Sequence, residues 1–385
     1  MKRRLASLAA LVIATALVAA CSSAGSNPSA GQTPLSAASQ AALGNPNIDV
    51  GTPLNNKPAP DFTLVNQFGQ KMSLSEFRGK VVMLGFEDSE CTTVCPLTTQ
   101  SMVLAKELLG KAGDSVQLLG VDANPHATAV SNVLSYSRVH GMVNQWDFLT
   151  GSLAQLTSVW KAFNIAVQIN AGAIDHTPAL YVIDSRGRMQ RLYLTQMAYS
   201  SITQSAQVLA TELATLLPGH PKVSSMGSLA EIQPLSPQDG VSLPLAVKDH
   251  GQAGTGTASA IQLRPGKARL VVFFATWLGE VSNLNAELAT LNAYAKTASA
   301  KKLPSLYAVD ETVTEPSRQS VTRYLNKLGP LDYPVALDLT GRVADGYGVQ
   351  DQPWLVLVNA AGKVAWQHDG WVSLTALEAA AKAHS

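Results

Sequence analysis

The chain has 385 residues and a formal net charge of +1 at pH 7, with 46% hydrophobic residues. That balance supports buried cores and excludes a chain that is disordered along most of its length, and no basic patch is present to bind nucleic acid. Only three cysteines are available for thiol chemistry, Cys21, Cys91 and Cys95.

Lys2, Arg3 and Arg4 precede an apolar run, Leu8 to Ala20, that ends in Val18-Ala19-Ala20-Cys21. A basic flank, an apolar stretch short for a bilayer span and small residues before a cut read as an export signal over residues 1–20. A cysteine at the cut is the bacterial lipobox pattern, which implies a diacylglycerol on Cys21. The alternatives are an uncleaved anchor or an ordinary secretory peptide with Cys21 incidental. The expected location is the bacterial cell envelope, outside the cytoplasm and lipid-anchored to a membrane through Cys21. Loss of residues 1–20 leaves a net charge of about −2. Residues 21–56, uncharged from Ser22 to Ile48 and rich in Ser, Ala, Gly, Asn and Pro, read as a flexible tether. The chain beyond residue 56 is longer than one ordinary domain.

The same plan then occurs twice. Pro60-Asp61-Phe62-Thr63-Leu64 leads to Gly79-Lys80, an apolar strand Val81 to Phe86, and Cys91; Leu243-Pro244-Leu245 leads to Gly266-Lys267, a strand Leu270 to Ala275, and Leu278. The separation from Lys80 to Cys91 equals that from Lys267 to Leu278, so Leu278 stands where the first copy has a cysteine. Helical patterns come next, Met102 to Leu109 and Leu284 to Ala295, then strands Val116 to Val121 and Leu306 to Val309. Each copy closes with a proline, a β-rich apolar strand and a glycine turn: Pro178 with Leu180 to Asp184, and Pro353 with Trp354 to Asn359. Last helices are expected over Ser201 to Leu217 and Leu374 to Ala383.

Strands alternating with helices predict an α/β fold with a sheet covered on both faces. The order resembles the thioredoxin fold in both copies, which implies two tandem thioredoxin-like domains, residues 57–217 and 240–385, joined by a linker over 218–239.

A strand ending near a cysteine puts the thiol at the carboxyl edge of the sheet, close to the next helix start, where the thiolate is favoured. Glu87, Asp88 and Glu90 push the other way, so no strongly lowered thiol pKa is expected. Cys91-x-x-x-Cys95 sets the sulfurs about one helical turn apart. Two thiolates and an imidazole would make a soft three-donor set suited to Cu(I), with Cu(II) also open. His176, in Asp175-His176-Thr177 just before a strand, is the candidate imidazole. His126 and His140 lack such a context and are expected at the surface.

Cys91-x-x-x-Cys95-Pro96, Asp175-His176-Thr177 before Leu180 to Asp184, and Trp146-x-Phe148-Leu149-Thr150-Gly151 resemble the Sco (SenC) family over about Lys57 to Leu217. The resemblance implies copper as the metal, Cys91, Cys95 and His176 as its ligands, and assembly of cytochrome c oxidase as the task. Three features depart from that family: Asp122-Ala123-Asn124-Pro125-His126 where an Asp-Pro followed by Asp is usual, the acidic run Glu87 to Glu90, and Pro178. By resemblance Pro178 occupies the cis-proline position of thioredoxins, which favours thiol exchange with polypeptides.

In the second copy, Phe273 to Val281 resembles the active-site segment of TlpA-like thioredoxins with Leu278 and Val281 in place of both cysteines. Without sulfur it cannot exchange disulfides; it binds a partner, positions the first domain or packs against it. His250 and His368 carry no metal pattern.

The leading expectation is a copper chaperone that delivers copper to the copper-site subunit of cytochrome c oxidase or reduces that site's cysteines. The alternative is an extracytoplasmic thiol–disulfide oxidoreductase or redoxin acting on another thiol protein, with Cys91 as nucleophile, Cys95 as resolving thiol and a reversible Cys91–Cys95 disulfide. A third is a non-catalytic binding protein in which Cys91–Cys95 is a structural disulfide.

Overall fold

The structure is a computed structural model, and it describes residues 44–45, 48–170, 173–246 and 260–385. Cys21, the export signal, most of the expected tether and His250 lie outside them. The described residues belong to one compact unit. Among them no helix is long and apolar enough to cross a membrane.

The first lobe begins with β1 (Thr52–Pro58), a hairpin of β2 (Thr63–Val65) and β3 (Lys71–Ser73), and β4 (Val81–Glu87). All seven β4 residues are buried, as a continuous apolar run covered on both faces requires. Helix α1 (Val94–Leu108), β5 (Val116–Asp122), α2 (Val130–Val139), β6 (Asp147–Leu149) and α3 (Leu153–Ala162) come next. Pro96 is tolerated in the first turn of α1 because its missing N–H would have no helical acceptor there. A hairpin of β7 (Val167–Asn170) and β8 (Ala173–His176) precedes β9 (Ala179–Ile183) and β10 (Arg188–Leu194), and α4 (Ile202–Leu216) closes the lobe just before Pro218. The six-stranded sheet runs β1-β10-β9-β4-β5-β6, with β4, β5 and β6 parallel and β9 antiparallel to both β4 and β10.

The second lobe opens with a hairpin of β11 (Val241–Pro244) and β12 (Ala260–Leu263), then β13 (Arg269–Phe274), α5 (Leu284–Ala298), β14 (Ser305–Asp310), α6 (Arg318–Leu328), β15 (Val335–Leu337), α7 (Arg342–Gly346), β16 (Trp354–Val358), β17 (Val364–Asp369) and α8 (Leu374–His384). Its sheet runs β15-β14-β13-β16-β17, again three parallel strands beside an antiparallel pair. Both lobes are thioredoxin-like, and β4 and β13 hold the same central place.

One expectation about order along the chain needs correction. The stretch read as tether is built into the first lobe from its end: β1 pairs with the edge strand β10, and Ile48 and Val50 are buried in the core. Their apolar side chains lie beside a free sheet edge, which outweighs the polar composition around them. The linker is also packed. Ser224 N–H donates to Leu108 O at 3.0 Å, and Leu235 N–H to Arg342 O at 2.8 Å, so it is pinned to both lobes.

The lobes share a core as well. Leu97, Tyr199 and Ile202 of the first lobe lie in one buried apolar cluster with Phe273, Tyr347 and Val356 of the second. At roughly 1.5–3 kcal/mol for each large apolar side chain, that burial joins the lobes firmly. Asp345 adds polar closure, accepting from Tyr199 N at 2.8 Å and from Ser200 N at 3.0 Å.

Candidate functional site

Beyond β4 the chain turns at the carboxyl edge of the first sheet into the loop that carries Cys91. Cys91 N–H donates to Asp88 O at 3.1 Å, and Asp88 Oδ1 accepts from Glu90 N at 2.8 Å and from Asn124 Nδ2 at 2.7 Å. Helix α1 then starts with no side-chain cap from Thr93. An uncapped start leaves N–H groups without acceptors, and the Cys95 N–H donates to Cys91 Sγ at 3.4 Å. The Cys91 sulfur thus serves as acceptor at the positive end of the helix, where negative charge is favoured.

The two thiols are unlike. Cys91 is half-buried with Thr93 Oγ1 at 3.3 Å from its sulfur, whereas Cys95 is 1% exposed. A hydrogen bond from the Cys95 thiol draws the Cys91 pKa below the ordinary thiol value, against its burial and the charge of Asp88. Burial, and then the bond to Cys91, push the Cys95 thiol well up. The acidic run therefore opposes the shift, as expected, without preventing it. Both cysteines are free thiols in this structure.

His176 ends β8, and the β7–β8 hairpin brings its Nε2 to 3.7 Å from Cys95 Sγ. Its Nδ1 lies 3.1 Å from Thr177 O. A carbonyl only accepts, so Nδ1 carries the ring proton and Nε2 keeps its lone pair toward the sulfur. Burial lowers the imidazole pKa and favours that neutral form.

This donor set suits a soft ion. With metal–sulfur and metal–nitrogen bonds of about 2.3 and 2.0 Å, tetrahedral ligation leaves the two donor atoms about 3.5 Å apart; the separation of 3.7 Å between Cys95 and His176 is close to that. The full set is not assembled, however. Among the described residues no three His, Cys, Asp or Glu side chains stand at metal-holding geometry; the Cys91 sulfur contacts Thr93 Oγ1 and the Cys95 N–H.

Two expected roles change. The cis X-Pro bond among the described residues is Gln352–Pro353, so Thr177–Pro178 is trans. The chain runs extended from β8 into β9 there, with Thr195 N–H on Pro178 O at 3.0 Å, and trans is the lower-energy isomer for such a path. His140 is not at the surface. It is 3% exposed, with ring centroids 4.3 Å from Tyr136 and 4.8 Å from Trp277, because the second lobe covers the end of α2. His126 is exposed, and His368 stacks on Trp366 away from any cysteine.

Sequence reasoning missed how closely Glu87 joins the site. It is 1% exposed as the last residue of β4, and neither carboxyl oxygen makes a hydrogen bond. Burial pushes its pKa well up, and the charges of Cys91 and Asp88 add to that. An acidic residue continuing an unbroken apolar strand was the available signal.

In the second lobe Trp277 and Leu278 are buried and Val281 is 50% exposed. Trp277 Nε1 donates to Thr314 Oγ1 at 3.2 Å while its ring faces His140. The sulfur-free edge therefore packs partly against the first lobe.

Residues 51–211 match the SCO1/SenC family model, and this segment is a SCO1/SenC family domain. A SCO1 protein homolog of Bacillus subtilis is 26% identical over 37% of this chain and 75% of its own length. The mitochondrial Protein SCO2 homolog of Bos taurus is 26% identical over 38% of this chain and 58% of its own. Among solved structures, copper-bound ScoI of Bradyrhizobium japonicum aligns with 42% of this chain and 99% of its own at 19% identity and a TM-score of 0.36. A SCO1/SenC family lipoprotein of Bacillus anthracis aligns with 41% and 98% at 26% identity and a TM-score of 0.35.

Proposed function

We propose that this protein is an exported copper-binding chaperone of the Sco type, held to a membrane by lipid on Cys21. In this reading it takes one Cu(I) on Cys91, Cys95 and His176 and passes it to the copper-site subunit of cytochrome c oxidase. The observation that carries it is the lone pair of His176 Nε2 facing Cys95 Sγ at 3.7 Å, with Nδ1 fixed by Thr177 O. The SCO1/SenC domain over residues 51–211 supports it. In this reading, release of Cys91 from Thr93 completes the donor set. The second lobe, with no thiol of its own, is a TlpA-like domain that helps to present the first.

The unequal thiols favour a second reading, in which the pair reduces a client disulfide. Cys91 Sγ attacks one client sulfur and the other leaves as a thiolate; Cys95 then displaces the first as a thiolate, so two client thiols form as Cys91–Cys95 becomes a disulfide. A Cu(I) competition titration on the chain without residues 1–20, reduced and oxidised, separates the readings. Stoichiometric Cu(I) binding weakened more by Cys91→Ser than by His176→Ala, and lost on oxidation, supports the chaperone. Equal affinity in parent and Cys91→Ser would overturn it.

A further inference from the structure

A groove of about 480 Å³ lies between the loop carrying Cys91 and the sulfur-free edge of the second lobe. One wall is Glu90 and Thr92, on either side of Cys91; the other includes Glu280, Val281, Pro353 and Trp371. Its lining contains two carboxylates and no lysine, arginine or histidine. Neither Glu90 nor Glu280 takes part in any of the four ion pairs among the described residues. Val281 supplies a half-exposed apolar surface to the same lining.

We propose that this groove binds an extended segment of the client polypeptide that carries lysine or arginine, and so brings the client to Cys91. The inference rests on the reading that Cys91 serves a protein. The cationic side chain sits between Glu90 and Glu280, where the face of Trp371 adds a cation–π contact. An apolar neighbour of that side chain covers Val281. Two exposed carboxylates attract weakly and are screened by salt, so the binding is salt-dependent. The second lobe thereby selects the client by charge although it performs no chemistry.

The test uses the chain without residues 1–20, reduced, and two fluorescein-labelled cysteine-free peptides, one alternating lysine with valine and one alternating glutamate with valine. The lysine peptide should bind saturably at low salt and the glutamate peptide should not. Glu280→Lys should weaken the lysine peptide by about tenfold, while Glu280→Gln weakens it less and neither changes Cu(I) affinity. Equal binding of the two peptides, no binding of either, or an unchanged lysine-peptide affinity in Glu280→Lys would overturn the groove. Failure of the parent to bind Cu(I), with peptide binding as stated, would overturn the copper reading and leave the groove standing.

Discussion

Thr92, between the two cysteines, donates its hydroxyl to Asp351 of the second lobe at 2.6 Å. Asp351 precedes Gln352 and Pro353, so the loop ahead of β16 in one lobe holds the cysteine loop of the other. Burial raises the Asp351 pKa, and the bond from Thr92 opposes that shift.

Thr92→Val keeps the shape and removes the donor. The variant should lose about 1–3 kcal/mol of stability in denaturant unfolding, the cost of leaving a partly buried carboxyl short of a partner. Alkylation of Cys91 should accelerate as its loop loosens, and Thr92→Ser should restore both. Unchanged stability and alkylation would show that the bond does not restrain the loop.

Cys91 and Cys95 should separate in a brief iodoacetamide pulse at pH 7. The thiolate is the reacting form, so Cys91, with its lowered pKa and partial exposure, should be modified more than about tenfold faster than Cys95. Peptide mapping that found equal labelling would refute the asymmetry.

His140 should give stability that is lost in acid. Burial lowers its pKa to about 3, so between its ordinary value near 6.5 and that point only the unfolded chain takes up the proton. Its contribution is complete above about pH 6.5 and falls by up to about 1.4 kcal/mol per pH unit below it. His140→Phe keeps the stack between Tyr136 and Trp277, and its stability advantage over the parent should grow from pH 7 to pH 5. A constant difference would refute the assignment.

Asp122 should act with the opposite sign. Burial raises its pKa to about 8. The folded carboxyl therefore stays protonated while the unfolded one ionises above about pH 4, so its contribution is present below pH 4 and is lost as pH rises toward 8. Asp122→Asn should be less sensitive to pH than the parent across that interval in parallel urea titrations. Identical slopes would show that Asp122 is already ionised in the folded chain.

Gly341→Ala tests the joint between the lobes. Gly341 has φ +70°, and a Cβ there would lie 2.4 Å from the backbone carbon of Tyr199. Backbone strain and overlap together should cost about 2 kcal/mol or more, with Tyr199 and Ser200 displaced from Asp345. An unshifted unfolding midpoint would mean that the joint tolerates separation.

The central strands of both lobes were legible because each is an unbroken apolar run entered from a Gly-Lys pair and leading to a helix. Equal spacing placed Leu278 opposite Cys91, and the two sheets share one strand plan. The nearness of His176 to Cys95 was legible from its position before β9. Burial of His140 was not, because it depends on Trp277, more than a hundred residues away, packing across the end of α2. Nor was the ordering of residues 48–56, whose composition reads as tether until the open edge of β10 is available to pair with. The expected cis bond at Pro178 came from resemblance alone, and the inserted β7–β8 hairpin gives the chain an extended route there. Glu87 is conspicuous in the sequence as an acidic residue after an apolar run, but only the buried strand end shows that its carboxyl lies inside.

The pinned segment from Pro218 to Gly240 changes what can be learned by cutting the protein in two. A fragment ending after α4 would leave the carbonyl of Leu108 without the N–H of Ser224 and would bare Leu97, Tyr199 and Ile202 to water. Measurements on such a piece would describe a surface that the intact chain never presents. For the same reason, whatever approaches Cys91 meets both lobes in one encounter, at an angle already fixed before it arrives.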